Sequence, residues 1–224
     1  FTSSHDGPWV EEYRKFEETH TNPDRLVASL FKDKYFILKK VNPKELMWGM
    51  YWVASDMQNA ETKVSFYDLF KGQELFDLWQ CVNYRFYVGN ANHADGKGIV
   101  VANAKSLLRN ILDSADEAIR KGGIAATLRF GHDGNVIPLV ALMQIENCNV
   151  AVSDPYEVYK VWSDFKVVPM AANVQIIFFR NEKSNDILVK IMHNENEVHI
   201  PVQTDMFPYY RWRDVENYYR GMLK

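Results

Sequence analysis

The stretch from Lys121 to Leu139 constrains this chain most, because three kinds of element meet there. Leu107, Leu108, Ile111, Leu112, Ala115 and Ile119 recur at spacings of three and four, which predicts one long amphipathic helix over 99–119. Lys121-Gly122-Gly123 stops it, since glycine accepts the left-handed backbone that ends helices. Ile124-Ala125-Ala126-Thr127-Leu128-Arg129-Phe130 then reads as a strand packed on both faces, and 135–143 as the next helix. The loop between them, Gly131-His132-Asp133-Gly134, lies at the carboxyl end of that strand, where open α/β sheets place ligands. Two glycines there let the backbone come close to a partner such as a small anion.

A plainer reading fits the same residues. Asp133 or Asn135 is also a good N-cap for the following helix, with Pro138 in its first turn and His132 as a hydrogen-bonded loop residue.

The 224 residues allow one large domain or a core carrying a smaller inserted one, and an apolar fraction of 47% is enough for a real core. A net charge of -3 without any block of Lys or Arg argues against nucleic acid or an anionic membrane as the main partner. Cys81 and Cys148 are the only cysteines, so neither a disulfide framework nor a Cys-x-x-Cys zinc site can be written. The longest apolar runs are too short to span a bilayer. The chain has no Gly-x-Ser-x-Gly elbow, no dinucleotide fingerprint and no Gly-Lys-Ser/Thr phosphate loop.

The first half is helical in character. Asn22-Pro23-Asp24 opens a run through Phe31, Asn42-Pro43 opens another through Met57, Ser65 to Asp68 has capping-box spacing, and a longer run extends from Glu74 to Tyr87. The Met and aromatic residues Met47, Trp48, Met50, Tyr51, Trp52, Met57 and Trp79 fall at helical spacing and are assigned to packing rather than a ligand groove. Gly89 to Gly98 reads as a solvated polar loop, and Pro155 to Phe165 as one short helix.

The last third changes period. Val174 to Phe179 and Asp186 to Ile191 read as strands, with a polar turn over 193–197 leading into a further strand, Val198-His199-Ile200-Pro201. His193 and His199 would face each other across that turn, but with no carboxylate at suitable spacing they are read as surface hairpin residues rather than metal ligands. Pro208 to Arg220 mixes Tyr, Trp and Arg and reads as a docking helix with solvated arginines.

Phe130-Gly131-His132-Asp133 through Pro138-Leu139 and Leu142-Met143 resembles the C-terminal motif of the histidine phosphatase superfamily, branch 2, which holds acid phosphatases, phytases and multiple inositol polyphosphate phosphatases. Three other pieces resemble the same family in the same order. They are Leu107 to Leu112 as the helix before the motif, Pro169 to Gln175 after it, and the hairpin ending at Val198-His199-Ile200-Pro201. The resemblance implies an α/β fold: a central sheet with flanking helices, carried by 98–224, plus a mostly helical inserted α-domain over 1–97. It implies a metal-independent phosphomonoesterase that needs no cofactor and takes a small phosphomonoester. His132 would be the phosphate-binding second histidine and Asp133 the proton donor, because a leaving alkoxide is unstable until protonated.

The nucleophilic histidine of the family lies in an Arg-His-Gly-x-Arg motif, and no such motif occurs in these residues. The expected partner of the site is therefore an N-terminal remainder of the same protein, without which the chain should not turn over a phosphoester. His132 followed directly by Asp133 is closer to the acid phosphatase and phytase pattern than to the His-Ala-Glu of inositol polyphosphate phosphatases. The family also implies a secreted or periplasmic location. Two other classes remain: a noncatalytic phosphate-binding module on the same fold, and a metal-dependent His-Asp hydrolase suggested by His5-Asp6 beside His132-Asp133.

Overall fold

The computed structural model describes residues 8–181, 183–184 and 186–224, and these form two compact units divided between Arg85 and Phe86. In the first unit, α1 (Pro8–His20), α2 (Asp24–Leu30), α3 (Lys34–Leu38) and α4 (Pro43–Asp56) precede α5 (Gly72–Asn90), whose last residues belong to the second unit. The Asn42-Pro43 signal is realised as read: the Asn42 side chain accepts from the amides of Lys44 and Glu45, and Pro43 fills the first helical position. Ser65 to Asp68 does not start an α-helix. The Ser65 hydroxyl accepts from the Tyr67 amide and the chain makes only a 3₁₀ turn over Tyr67–Leu69.

Leu26, Met47, Tyr51, Ala54, Phe70 and Leu78 form this unit's core, with Trp48 and Met50 against it, so Met47, Trp48, Met50 and Tyr51 do serve packing. Trp52 instead stacks on Trp48 and stands half exposed. Arg25 grips both carboxylate oxygens of Glu74 and also donates to the Leu69 carbonyl, pinning the start of α5.

The second unit has α6 (Ile99–Ala102), α7 (Lys105–Lys121), α8 (Asp133–Leu142), α9 (Pro155–Val161), α10 (Asp164–Val167), a sheet, and α11 (Trp212–Met222). The single helix read over 99–119 is two, because the amides of Asn103 and Ala104 bond three residues back and tighten the turn between α6 and α7. The helix read over 155–165 likewise breaks, at Trp162-Ser163. Gly89 to Gly98 is not wholly solvated: α5 runs to Asn90, His93 is buried, and Asn92 donates to the Asn149 side chain.

Strands β1 (Val174–Arg180) and β2 (Ile187–His193) pair antiparallel from Val174↔His193 to Arg180↔Ile187. On its other edge β2 carries the short β3 (Asn196–Glu197) and β4 (Tyr209–Arg211). The strand read at 198–201 is absent. There the Glu146 amide takes the His199 carbonyl, and the Ile200 amide donates to the Tyr210 hydroxyl, so those groups are committed away from a ladder. The tail read as a single docking helix supplies β4 first and then α11. Tyr219 donates to the Met143 carbonyl, and Arg220 pairs with Asp113, Asp116 and Glu216, which ties α11 to α7 and to the end of α8.

Cys81 and Cys148 are free and buried, and burial pushes both thiols up to about 12. His193, read as a surface residue, is also buried. Its Nε2 lies 2.8 Å from the Val167 carbonyl and its Nδ1 3.7 Å from the Cys148 sulfur. Burial lowers its pKa, with the Val167 bond acting the other way. An unfolded His titrates near about 6.5, so below that the unfolded chain binds more protons than the folded one and stability is lost as the pH falls. The urea midpoint should therefore drop between pH 7.5 and 5.5 more steeply in the wild type than in His193→Gln. Parallel declines would refute the assignment.

Candidate functional site

The predicted strand over 124–130 is the main correction. Residues 123–131 form no helix and join no sheet, and Ile124, Leu128 and Phe130 are 48%, 74% and 95% exposed. The only sheet among the described residues is the antiparallel one around β2, so the apolar composition of 124–130 has no neighbouring strand to pack beside. Gly122 and Gly123 do hold the predicted positive φ, at 68° and 76°.

His132 is the N-cap of α8, one residue before Asp133 and three before Asn135, and Asp133 is the first residue of the helix. The His132 amide donates to Asn135 Oδ1 at 3.2 Å, and the His132 carbonyl accepts from the amides of Asn135 and Val136. Asp133 Oδ1 accepts from the Gly134 amide at 2.7 Å, which orients a carboxyl whose residue remains exposed. Helix α8 thus fixes the backbone of both residues while both side chains stay on the surface. Pro138 sits inside the helix rather than in its first turn.

Gly131 leaves room for a neighbouring side chain. A Cβ there would meet Asn135 Oδ1 at 3.2 Å, so the glycine admits the side chain that caps His132. Asn135→Ala removes the acceptor of the His132 amide and should cost about 0.5–1.5 kcal/mol of stability, the usual worth of one hydrogen bond; a melting temperature equal to wild type would show the bond to be idle.

Arg129 does not join His132 and Asp133. Its guanidinium bonds the Asn110 side chain and carbonyl and the Ser114 hydroxyl, all on α7, so it anchors the segment to that helix. Asn110, Ser114 and Asn135 are supporting residues that the sequence pattern did not single out, apart from Asn135 as a possible cap. His199 stacks on Phe207 with ring centroids 3.9 Å apart, whereas His193 faces the Val167 carbonyl. No group of three or more His, Cys, Asp or Glu side chains suited to a metal occurs among the described residues, and His5-Asp6 lies outside them. No helix among them is long and apolar enough to cross a membrane.

The profile of the histidine phosphatase superfamily (branch 2) matches residues 4–194. The chain belongs to that superfamily. This histidine phosphatase chain shares its fold with solved structures of multiple inositol polyphosphate phosphatase from Bifidobacterium longum. The complex with inositol hexasulfate has a TM-score of 0.66 at 23% identity, covering 79% of this chain and 39% of that one. The complex with phosphate gives 0.67 at 22%, covering 87% and 41%. The superfamily member described here therefore spans about two-fifths of the length of those structures. No curated protein sequence matches it.

Proposed function

We propose that this chain is the C-terminal part of a metal-independent phosphatase acting on phosphomonoesters of the acid phosphatase or inositol phosphate class, located outside the cytoplasm. One observation carries the reading: in a member of this superfamily, His132 and Asp133 stand exposed side by side at the head of α8, the His132 amide held by Asn135 and the Asp133 carboxyl by the Gly134 amide. His132 binds the phosphate oxygens. Asp133 gives its proton to the ester oxygen as the P–O bond breaks, so that the leaving group departs as an alcohol. The nucleophilic histidine and the phosphate-binding arginines come from an N-terminal remainder. The inositol hexasulfate found in a structure of the same fold supports a polyanionic inositol ester among the candidate substrates. The location rests on the family alone.

Inorganic phosphate, as competitive inhibitor of the N-terminally extended protein, tests the role of His132. Removing a charge-assisted hydrogen bond worth about 1.5–3 kcal/mol should raise its Ki roughly 10- to 100-fold in His132→Ala, with or without chelator. An unchanged Ki would remove His132 from the site. A noncatalytic phosphate binder is the second reading, favoured by the lack of an Arg-His-Gly-x-Arg motif in the 224 residues; it predicts phosphate binding without turnover.

A further inference from the structure

One turn of the first unit shows its apolar side chains to solvent. In α3, Tyr35, Phe36 and Leu38 are 84%, 60% and 52% exposed, and only Ile37 of that apolar run is partly buried. The turn is nevertheless closed on itself. Asp33 Oδ1 accepts from the Phe36 amide, and the amides of Ile37, Lys39, Lys40 and Val41 donate to the carbonyls of Asp33, Phe36 and Ile37. Its backbone therefore carries its own hydrogen bonds into any surroundings, which is the condition a segment must meet to enter lipid. Charge gathers at the same place. The chain has a net charge of -3, yet 32–40 holds Lys32, Lys34, Lys39 and Lys40 against the single carboxylate of Asp33. Lys32, Lys39 and Lys40 are exposed, and among the described residues the lysine ion pairs are made by other lysines.

We infer that this turn docks the protein on an anionic lipid surface, with Tyr35, Phe36 and Leu38 entering the boundary between headgroups and acyl chains while the lysines meet the lipid phosphates. The combination of charge and apolar surface decides the partner. A lysine cluster serving a soluble phosphate ester has no use for three bare apolar side chains, and the core of a protein–protein interface is depleted in lysine. Rings beside lysines also suit single-stranded nucleic acid, but Leu38 offers no ring face on which a base can stack. Attachment of this kind lies on a membrane and needs no spanning helix. It is an addition to the phosphatase reading and holds whether or not His132 and Asp133 turn phosphate over.

Sedimentation of the N-terminally extended protein with lipid vesicles tests it. Vesicles of phosphatidylcholine with about one-third phosphatidylglycerol should bind at least about 10-fold more tightly than phosphatidylcholine alone, and about 0.5 M salt should remove most of that difference. Changing Lys39→Ala and Lys40→Ala together should weaken binding to the anionic vesicles about 30-fold. Changing Phe36→Ser and Leu38→Ser together should weaken it at least about 10-fold. Both double variants should melt as the wild type does, since all four side chains are exposed. Equal binding to the two kinds of vesicle would overturn the inference, as would binding undiminished in either double variant. No binding to either, as when the N-terminal remainder covers the turn, would overturn it too, and so would a preference for single-stranded oligonucleotide over anionic vesicles.

Discussion

Replacing Asp133 by Ala in the N-terminally extended protein should lower kcat for an alkyl phosphomonoester by about 10²–10⁴-fold, the usual contribution of a positioned general acid. The loss should depend on the leaving group. An alkoxide cannot depart unprotonated at a useful rate, whereas a nitrophenolate can, so p-nitrophenyl phosphate should be far less affected than a simple alkyl phosphate. The Gly134 amide binds Asp133 Oδ1 and so orients the carboxyl at the exposed head of α8. Measured kcat for the two substrates decides it: an equal loss on both would make Asp133 a structural residue of the helix head.

The second large effect is on stability. Ile137 is fully buried, and Pro138, Leu139, Val140, Ala141 and Leu142 after it are buried too, so α8 is apolar on every side from its second turn onward. Ile137→Ala deletes three buried carbons from a packed helix and should destabilise the unit by about 2–5 kcal/mol. Because Ile137 lies one turn beyond Asp133, the variant should also loosen the loop and reduce turnover at temperatures where the unit is still folded. A urea midpoint equivalent to less than about 1 kcal/mol of loss would mean that α8 is not the scaffold described.

Local signals were legible in the sequence and long-range ones were not. Asn42-Pro43 names its own helix start, since cap and first turn are neighbours in the chain. The short runs of β-branched and aromatic residues in 174–179 and 186–191 likewise declared β1 and β2. Strand β4 was hidden because Tyr209-Tyr210-Arg211 is too short to show a period and is defined only by β2 across from it. Burial of His193 depends on the Val167 carbonyl and Cys148, distant residues that no spacing rule connects. The apolar run at 124–130 has the composition of an interior strand, yet pairing is a property of its neighbours, and none stands beside it among the described residues. At the site, His132 and Asp133 could be singled out because both lie in one short motif. The anchoring of Arg129 on α7 could not, because composition does not say which way a side chain turns.

The most direct test is phosphate release from an alkyl phosphomonoester, with EDTA present, by the N-terminally extended protein and by its His132→Ala, Asp133→Ala double variant. The account predicts turnover that survives the chelator and falls by at least about 10²-fold in the variant. Turnover abolished by EDTA, or undiminished in the double variant, would contradict it.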